Sequence, residues 1–297
     1  MFKRFFLFIL TNIAIMVMVS IVMAVLGQLG LANIAGSQTQ LLVWCFVWGF
    51  GASIVSLLLS RQIAKWSLGV RLVDGRTGNA DLDWLHNTVG QLAQQANLKV
   101  PQVGFYDSPE VNAVATGPSK SSSLVAVSTG LLQGMSRQEI QAVLGHELTH
   151  VANGDMVTMT LIQGVVNAFV LYLSHIVAVI VRNVLSRDSE RGPSFLGLLA
   201  GQLAFIAAQI VFGLLGSLIT AWFSRQREFR ADAGGATLAG RGSMVAALRR
   251  LETFKARVDN QHSPELATLK IAGRDKMMLL WMTHPPLEQR IAALEGR

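Results

Sequence analysis

The chain has 297 residues, 51% hydrophobic and only 14% charged, with a net charge of +7 and a mean hydropathy of +0.43. Soluble globular domains carry about a quarter charged residues, so this composition excludes an ordinary soluble domain and points to a membrane protein. The lone cysteine, Cys45, lies in an apolar run and excludes both an intramolecular disulfide and a Cys-rich zinc knuckle.

Between Phe5 and Ser60 the chain has no Asp, Glu, Lys or Arg. That stretch is too long for one span, and the polar, Gly-containing segment 27–40 divides it. The sequence therefore predicts transmembrane helices near 5–26 and 41–59, each about the twenty residues that a bilayer core requires. Lys3-Arg4 ahead of an apolar run also fits a cleaved signal peptide, but the run is long and lacks a clean small-x-small cleavage site.

From Pro101 to Leu132 the pattern changes. Val103–Tyr106, Val111–Ala115 and Leu124–Ser128 read as short strands, with Gly117-Pro118 as a turn. Asn112-Ala113-Val114-Ala115 is the candidate edge, where an extended peptide could pair through its main chain. An ordinary hairpin strand is the alternative.

A capping box, Ser136-Arg137-Gln138-Glu139, then opens a helix. Ile140, Val143, Leu144 and Leu148 recur at helical spacing, and Asn153-Gly154 is a stop signal, giving about five turns. On that helix stands His146-Glu147-Leu148-Thr149-His150. Residues i and i+4 share a face, so both imidazoles can grip one zinc ion. Glu147 is placed to handle a water as general base and acid. The bland alternative is an exposed helix with two unrelated histidines.

Two more uncharged runs follow, 156–181 and 192–224, separated by the short charged segment 182–191. Their lengths suit membrane spans, although buried core helices are the alternative. Asn167, His175, Gln202 and Gln209 within them are expected to face other helices or a polar cavity. His175 has no neighbour at ligand spacing and reads as structural.

Two histidines leave zinc short of the three protein ligands a catalytic site uses. Glu228, in Arg227-Glu228-Phe229-Arg230-Ala231-Asp232, is the candidate third ligand. Asp232, at i+4 on the same face, can accept the free ring N–H of a ligand histidine. Alternatively both acids pair with the neighbouring arginines on a solvated face. Near the end of the chain, Pro285-Pro286 stiffens the start of a last helix and holds His284 beside it.

These stretches resemble the HtpX-type membrane zinc metalloproteases, relatives of the CAAX prenyl-processing proteases. HELTH, REFRADA, the N-terminal apolar pair, TGLLQGMS and NGDMVTMTLIQGVVN carry the resemblance over essentially the whole chain. It implies a mostly α integral membrane protein: four apolar helices and a cytosolic, gluzincin-like α+β zinc-protease domain with a small sheet. It implies zinc, one ion per chain, on His146, His150 and Glu228, with Glu147 as the catalytic acid/base. It supports Asn112, with Ala113 beside it, as a backbone clamp for substrate, and puts His284 and Arg290 at the substrate or oxyanion side. A capped helix with a surface arginine remains the alternative for that last pair.

The expected organisation is a transmembrane pair in 1–60, the first half of the protease domain with its zinc helix in 61–155, two membrane helices in 156–224, and the second half, with the third ligand, in 225–297. Lys3, Arg4, Arg61, Lys65 and Arg71 put the N-terminus and the segment after Ser60 in the cytosol, and Arg225, Arg227 and Arg230 put the end of the fourth run there too; the resemblance implies a multi-pass protein of the bacterial inner membrane, active on the cytosolic side. The outer-loop arginines 182, 187 and 191 run against this bias. Membrane orientation accounts for the positive charge, and no basic patch with interleaved aromatics suggests nucleic acid. The expected partners are protein substrates, membrane proteins among them, and the bilayer. The expected function is endoproteolysis of misfolded or damaged membrane proteins. Prenyl-protein processing and a non-catalytic zinc-stabilised scaffold are the rival readings, and Glu147 argues against the scaffold because a structural site needs no acid/base.

Overall fold

The structure, a computed structural model, describes residues 37–186, 194–262 and 282–296, with backbone alone at 37–40 and 255–262. The described residues divide into two compact units: one holds those within 57–159 and 221–296, the other those within 37–56 and 160–220. Three helices contribute to both: α1 (Ser37–Leu68), α5 (Asp155–Leu185) and α6 (Phe195–Ala239).

These three are the described helices long and apolar enough to cross a membrane, with window hydropathies of 2.1, 2.2 and 2.1. The expected spans at 41–59 and 156–181 fall within them, the one at 192–224 does so from Phe195 on, and the one at 5–26 lies outside the described residues. Their apolar side chains are largely exposed, Phe195 at 78% and Val184 at 64% among them. Exposed apolar surface on this scale is what a helix long and apolar enough to cross a membrane presents. At 45 residues, α6 is more than twice the length a bilayer core takes, so its charged C-terminal half runs on past its apolar part.

In the apolar unit small residues set the helix approach. A Cβ on Gly49 would stand 2.5 Å from the Ala168 backbone N, so α1 and α5 touch backbone to backbone there. Beside that contact the Asn167 amide donates to Ser53 Oγ (3.4 Å), and the Gln163 amide donates to Asn167 Oδ1 (2.7 Å). Asn167, His175 and Gln209 line a cavity of about 700 Å³ walled by Trp44 and Trp48, as intramembrane polar residues require. His175 packs on Phe205, ring centroids 4.6 Å apart, which fits its structural reading. Gln202 is a correction: among the described residues it is exposed and is not part of that cavity's lining.

The other unit builds a mixed sheet of four strands: β1 (Arg71–Val73), β2 (Gln102–Tyr106), β3 (Ala113–Ser119) and β4 (Ser122–Ser128), in the order β1-β2-β4-β3. β2 and β4 are parallel, and the outer pairs are antiparallel. Leu124 to Val127 of β4 are all buried, which is why that central strand reads as a continuous apolar run. Helix α2 (Ala80–Gln95) starts at Asn79, whose side chain accepts the N–H groups of Asp81 and Leu82, and it buries Leu85, Val89 and Leu92. Short α3 (Thr129–Gly134) leads into α4 (Arg137–Asn153), with α7 (Arg241–His262) and α8 (Leu287–Glu295) completing the unit. One core joins Val103, Val125 and Val127 of the sheet to Leu144 and Leu148 of α4, Leu248 of α7 and Ile291 of α8. Each such buried aliphatic side chain contributes about 1.5–3 kcal/mol, so α4 is held from several sides.

Two features depart from the expectations. The β3–β4 turn falls at Lys120-Ser121, not at Gly117-Pro118, which lies within β3. There the register shifts between Thr116 and Ser119, and Gly117 adopts φ +149°; a Cβ on it would sit 2.2 Å from Ser122 O. Glycine and proline thus form an irregularity on an edge strand, where a missing N–H is tolerated. The second is β1, whose three residues are too few to show a period-2 pattern.

Candidate metal centre

Helix α4 has its expected ends. Glu139 N–H donates to Ser136 Oγ, and Ser136 N–H donates to Glu139 Oε2 at 2.7 Å. At the other end Gly154 adopts the left-handed conformation (φ 70°). This sharp stop begins α5 at once and brings buried Asp155 back under the helix, with Oδ2 2.6 Å from His150 Nδ1. The other motif histidine has the same kind of anchor, His146 Nδ1 lying 2.9 Å from Asp232 Oδ1. A carboxylate can only accept, so each imidazole carries its proton on Nδ1 and turns an Nε2 lone pair inward.

The two Nε2 atoms stand 3.1 Å apart. Glu228, fully buried on α6, places Oε1 3.3 Å from His150 Nε2 and Oε2 3.6 Å from His146 Nε2. Its Oε1 has no hydrogen-bond partner among the described residues. Two lone pairs and an orphaned carboxylate oxygen converging in a buried space repel one another unless a cation joins them. The donor set, two imidazoles and a carboxylate with ligand atoms within 4.8 Å of one another, fits a divalent metal.

A proton and a metal compete for the same place: burial opposes a charged imidazolium at His146, but Asp232 and Glu228 outweigh it and push its pKa up to about 9. His150 is raised in the same way, burial being offset by Asp155 and Glu228. Burial would raise the Glu228 pKa, yet His146, His150 and His284 hold it far below the usual carboxylate range. The site is built to stabilise positive charge.

Close helix packing makes the centre possible. A Cβ on Gly235 would stand 2.9 Å from the His146 backbone N, and one on Gly234 2.3 Å from Thr149 Cγ2. Only glycines let α6 approach α4 closely enough to deliver Glu228. Adjacent glycines inside a helical pattern, Gly234-Gly235, were the readable sign of that approach.

His284 Nδ1 donates to Glu228 Oε2 at 2.8 Å, although its own side chain is 61% exposed. Arg290 lines the cleft beside His284 and is buried, so it is not a surface arginine; it grips Asp232 two-pronged, Nε to Oδ2 at 2.7 Å and Nη2 to Oδ1 at 2.6 Å, while Nη1 stands 3.6 Å from Glu228 Oε2. Asp155, the partner of His150, was not singled out in the sequence; the only hint was an acid directly after a glycine helix stop.

His146, His150, Glu228, His284 and Arg290 border one cleft of about 430 Å³, together with Glu147 and the stretch from Asn112 to Ala115. Strand β3 is an edge, as expected, but Asn112 is occupied: its C=O accepts Ser128 N–H (2.9 Å) and its N–H donates to Ser128 Oγ (3.0 Å). Antiparallel alternation then turns the main-chain groups of Ala113 and Ala115 away from β4, toward the open edge. The open pairing groups belong to these alanines and not to Asn112.

A helix-borne histidine pair, a carboxylate from a second helix, an adjacent glutamate and an open strand edge define a candidate centre of the metallopeptidase class. Comparison with known proteins agrees. The sequence model described as Peptidase family M48 matches residues 79–297, and the chain belongs to that family. It is 48% identical to Protease HtpX of Aeromonas hydrophila and 47% identical to Protease HtpX of Shewanella oneidensis, each over 99% of this chain and all of the relative. The crystal structure of S. mikatae Ste24p superposes with a TM-score of 0.60 at 20% identity, covering 92% of this chain and 66% of that one. That likeness shows a shared fold.

Proposed function

We propose that the chain is a zinc endopeptidase of the bacterial inner membrane that cleaves misfolded or damaged membrane proteins on the cytosolic side. The observation that carries this reading is the convergence of both Nε2 atoms and Glu228 beside the uncommitted Glu147. Zinc, when bound, polarises the scissile carbonyl and makes a water acidic enough to lose its proton near neutral pH. His146, His150 and Glu228 hold the ion, and Asp232 and Asp155 fix the imidazole tautomers. His284 steadies Glu228, and Arg290 steadies Asp232. Glu147 takes the proton from the attacking water and delivers it to the leaving amine. Ala113 and Ala115 pair with an extended peptide through the main chain, which suits substrates of varied sequence.

The two-unit division supports a protease domain built from the segments 61–155 and 225–297, and the basic residues flanking the apolar runs support a cytosolic placement. The test is proteolysis of a membrane protein of known topology, reconstituted with the purified chain in one orientation. Fragments mapped by mass spectrometry are expected to begin and end in cytosolic loops. Cuts confined to the opposite side would overturn the placement.

A further inference from the structure

Two guanidinium groups border the cleft, and they differ in how they are satisfied. Arg290 is fixed on Asp232 by two short hydrogen bonds. Arg227 precedes Glu228 on α6, with a side chain only 23% exposed and a buried Nε that has no hydrogen-bond partner among the described residues. Its Nη2 makes one long bond, to Ser224 Oγ at 3.5 Å, and stands 4.0 Å from Glu228 Oε1. Glu228 is a poor counter-ion for it, because that carboxylate faces His146, His150 and His284. A largely buried cation with an idle donor is costly unless something arrives to complete it.

The charge of Arg290 is answered by Asp232 behind the cleft, which leaves Arg227 as the cleft-lining cation without a carboxylate of its own among the described residues. A peptide carbonyl would satisfy one N–H of Arg227 and leave its charge uncompensated. A carboxylate matches both the planar fork and the charge. We infer that Arg227 is a specificity-determining residue that binds a carboxylate of the peptide substrate, either an acidic side chain near the scissile bond or a free C-terminus. This rests on the peptidase reading above.

The test uses the full-length, zinc-loaded chain in detergent and end-blocked peptides that differ only by Glu or Gln at each position flanking the cut. A neutral peptide with a free or amidated C-terminus forms a second arm, which separates the two carboxylate sources. In one arm the wild type is expected to favour the acid by about tenfold or more in kcat/KM, mostly through KM. Arg227→Gln is expected to bring that ratio close to one while keeping its zinc, and Arg227→Lys to retain a weakened preference. A merely structural role would not move the ratio. A wild-type ratio near one in both arms, or an equal ratio in wild type and Arg227→Gln, overturns the assignment. If Arg227→Gln loses zinc, Arg227→Lys decides, and an undiminished preference there overturns it. A wild type that cleaves no peptide and no protein overturns the peptidase reading and this assignment with it.

Discussion

Replacing Glu147 by glutamine is expected to lower cleavage by about 10²- to 10⁴-fold, the range ascribed to a positioned acid/base. The other carboxylates at the centre are committed: Glu228 faces three imidazoles, Asp155 holds His150, and Asp232 holds His146 and Arg290. Glu147 makes no hydrogen bond among the described residues, lines the cleft, and lies next to His146 on the same rigid helix. Among the described residues it is the carboxylate of the centre that no partner holds. Glutamine keeps the shape and removes the group that can take the proton, so the loss should fall on kcat, with KM and zinc content little changed. Steady-state kinetics beside elemental analysis of one preparation check this, and wild-type turnover in the variant would reject Glu147 as the acid/base.

Replacing Glu228 by alanine is expected to act earlier, on the metal itself. With the carboxylate gone, two imidazoles remain of the three-residue set, and a mononuclear zinc site needs at least three protein ligands to hold its ion firmly. The variant also leaves His284 without its acceptor and buried Arg290 with Asp232 as its remaining acidic partner. Zinc per chain should fall from about one to near zero after dialysis. The thermal midpoint should drop and no longer rise with added zinc, since a ligand stabilises only the state that binds it. Glu147→Gln keeps every ligand and should retain the zinc-dependent rise. Full zinc occupancy in Glu228→Ala would reject Glu228 as a ligand.

What could be read from the chain follows how local each relationship is. The histidine pair, its capping box and its glycine stop are set by spacing within one helix, and they stand where the sequence puts them. Glu228 and Asp232 were readable as an i,i+4 pair on one face, although their meeting with His146 and His150 needed α6 to press on α4 through Gly234 and Gly235. Asp155 escaped notice because its reach to His150 depends on a left-handed residue that reverses the chain within one step. The grip of Arg290 on Asp232 was not legible because the partners lie 58 residues apart, and sequence spacing carries no record of such a bond. The Gly117-Pro118 turn failed for a related reason: glycine and proline mark a break in regular structure, and the long-range strand pairing decided that the break would be an irregularity within β3.

The most direct test is zinc content and proteolysis measured together on wild-type protein, before chelation, after chelation and after zinc is restored. The account predicts about one zinc per chain, cleavage of an unfolded protein substrate that disappears with the metal, and recovery on adding zinc back. Cleavage that persists at full rate in protein stripped of all metal would contradict it.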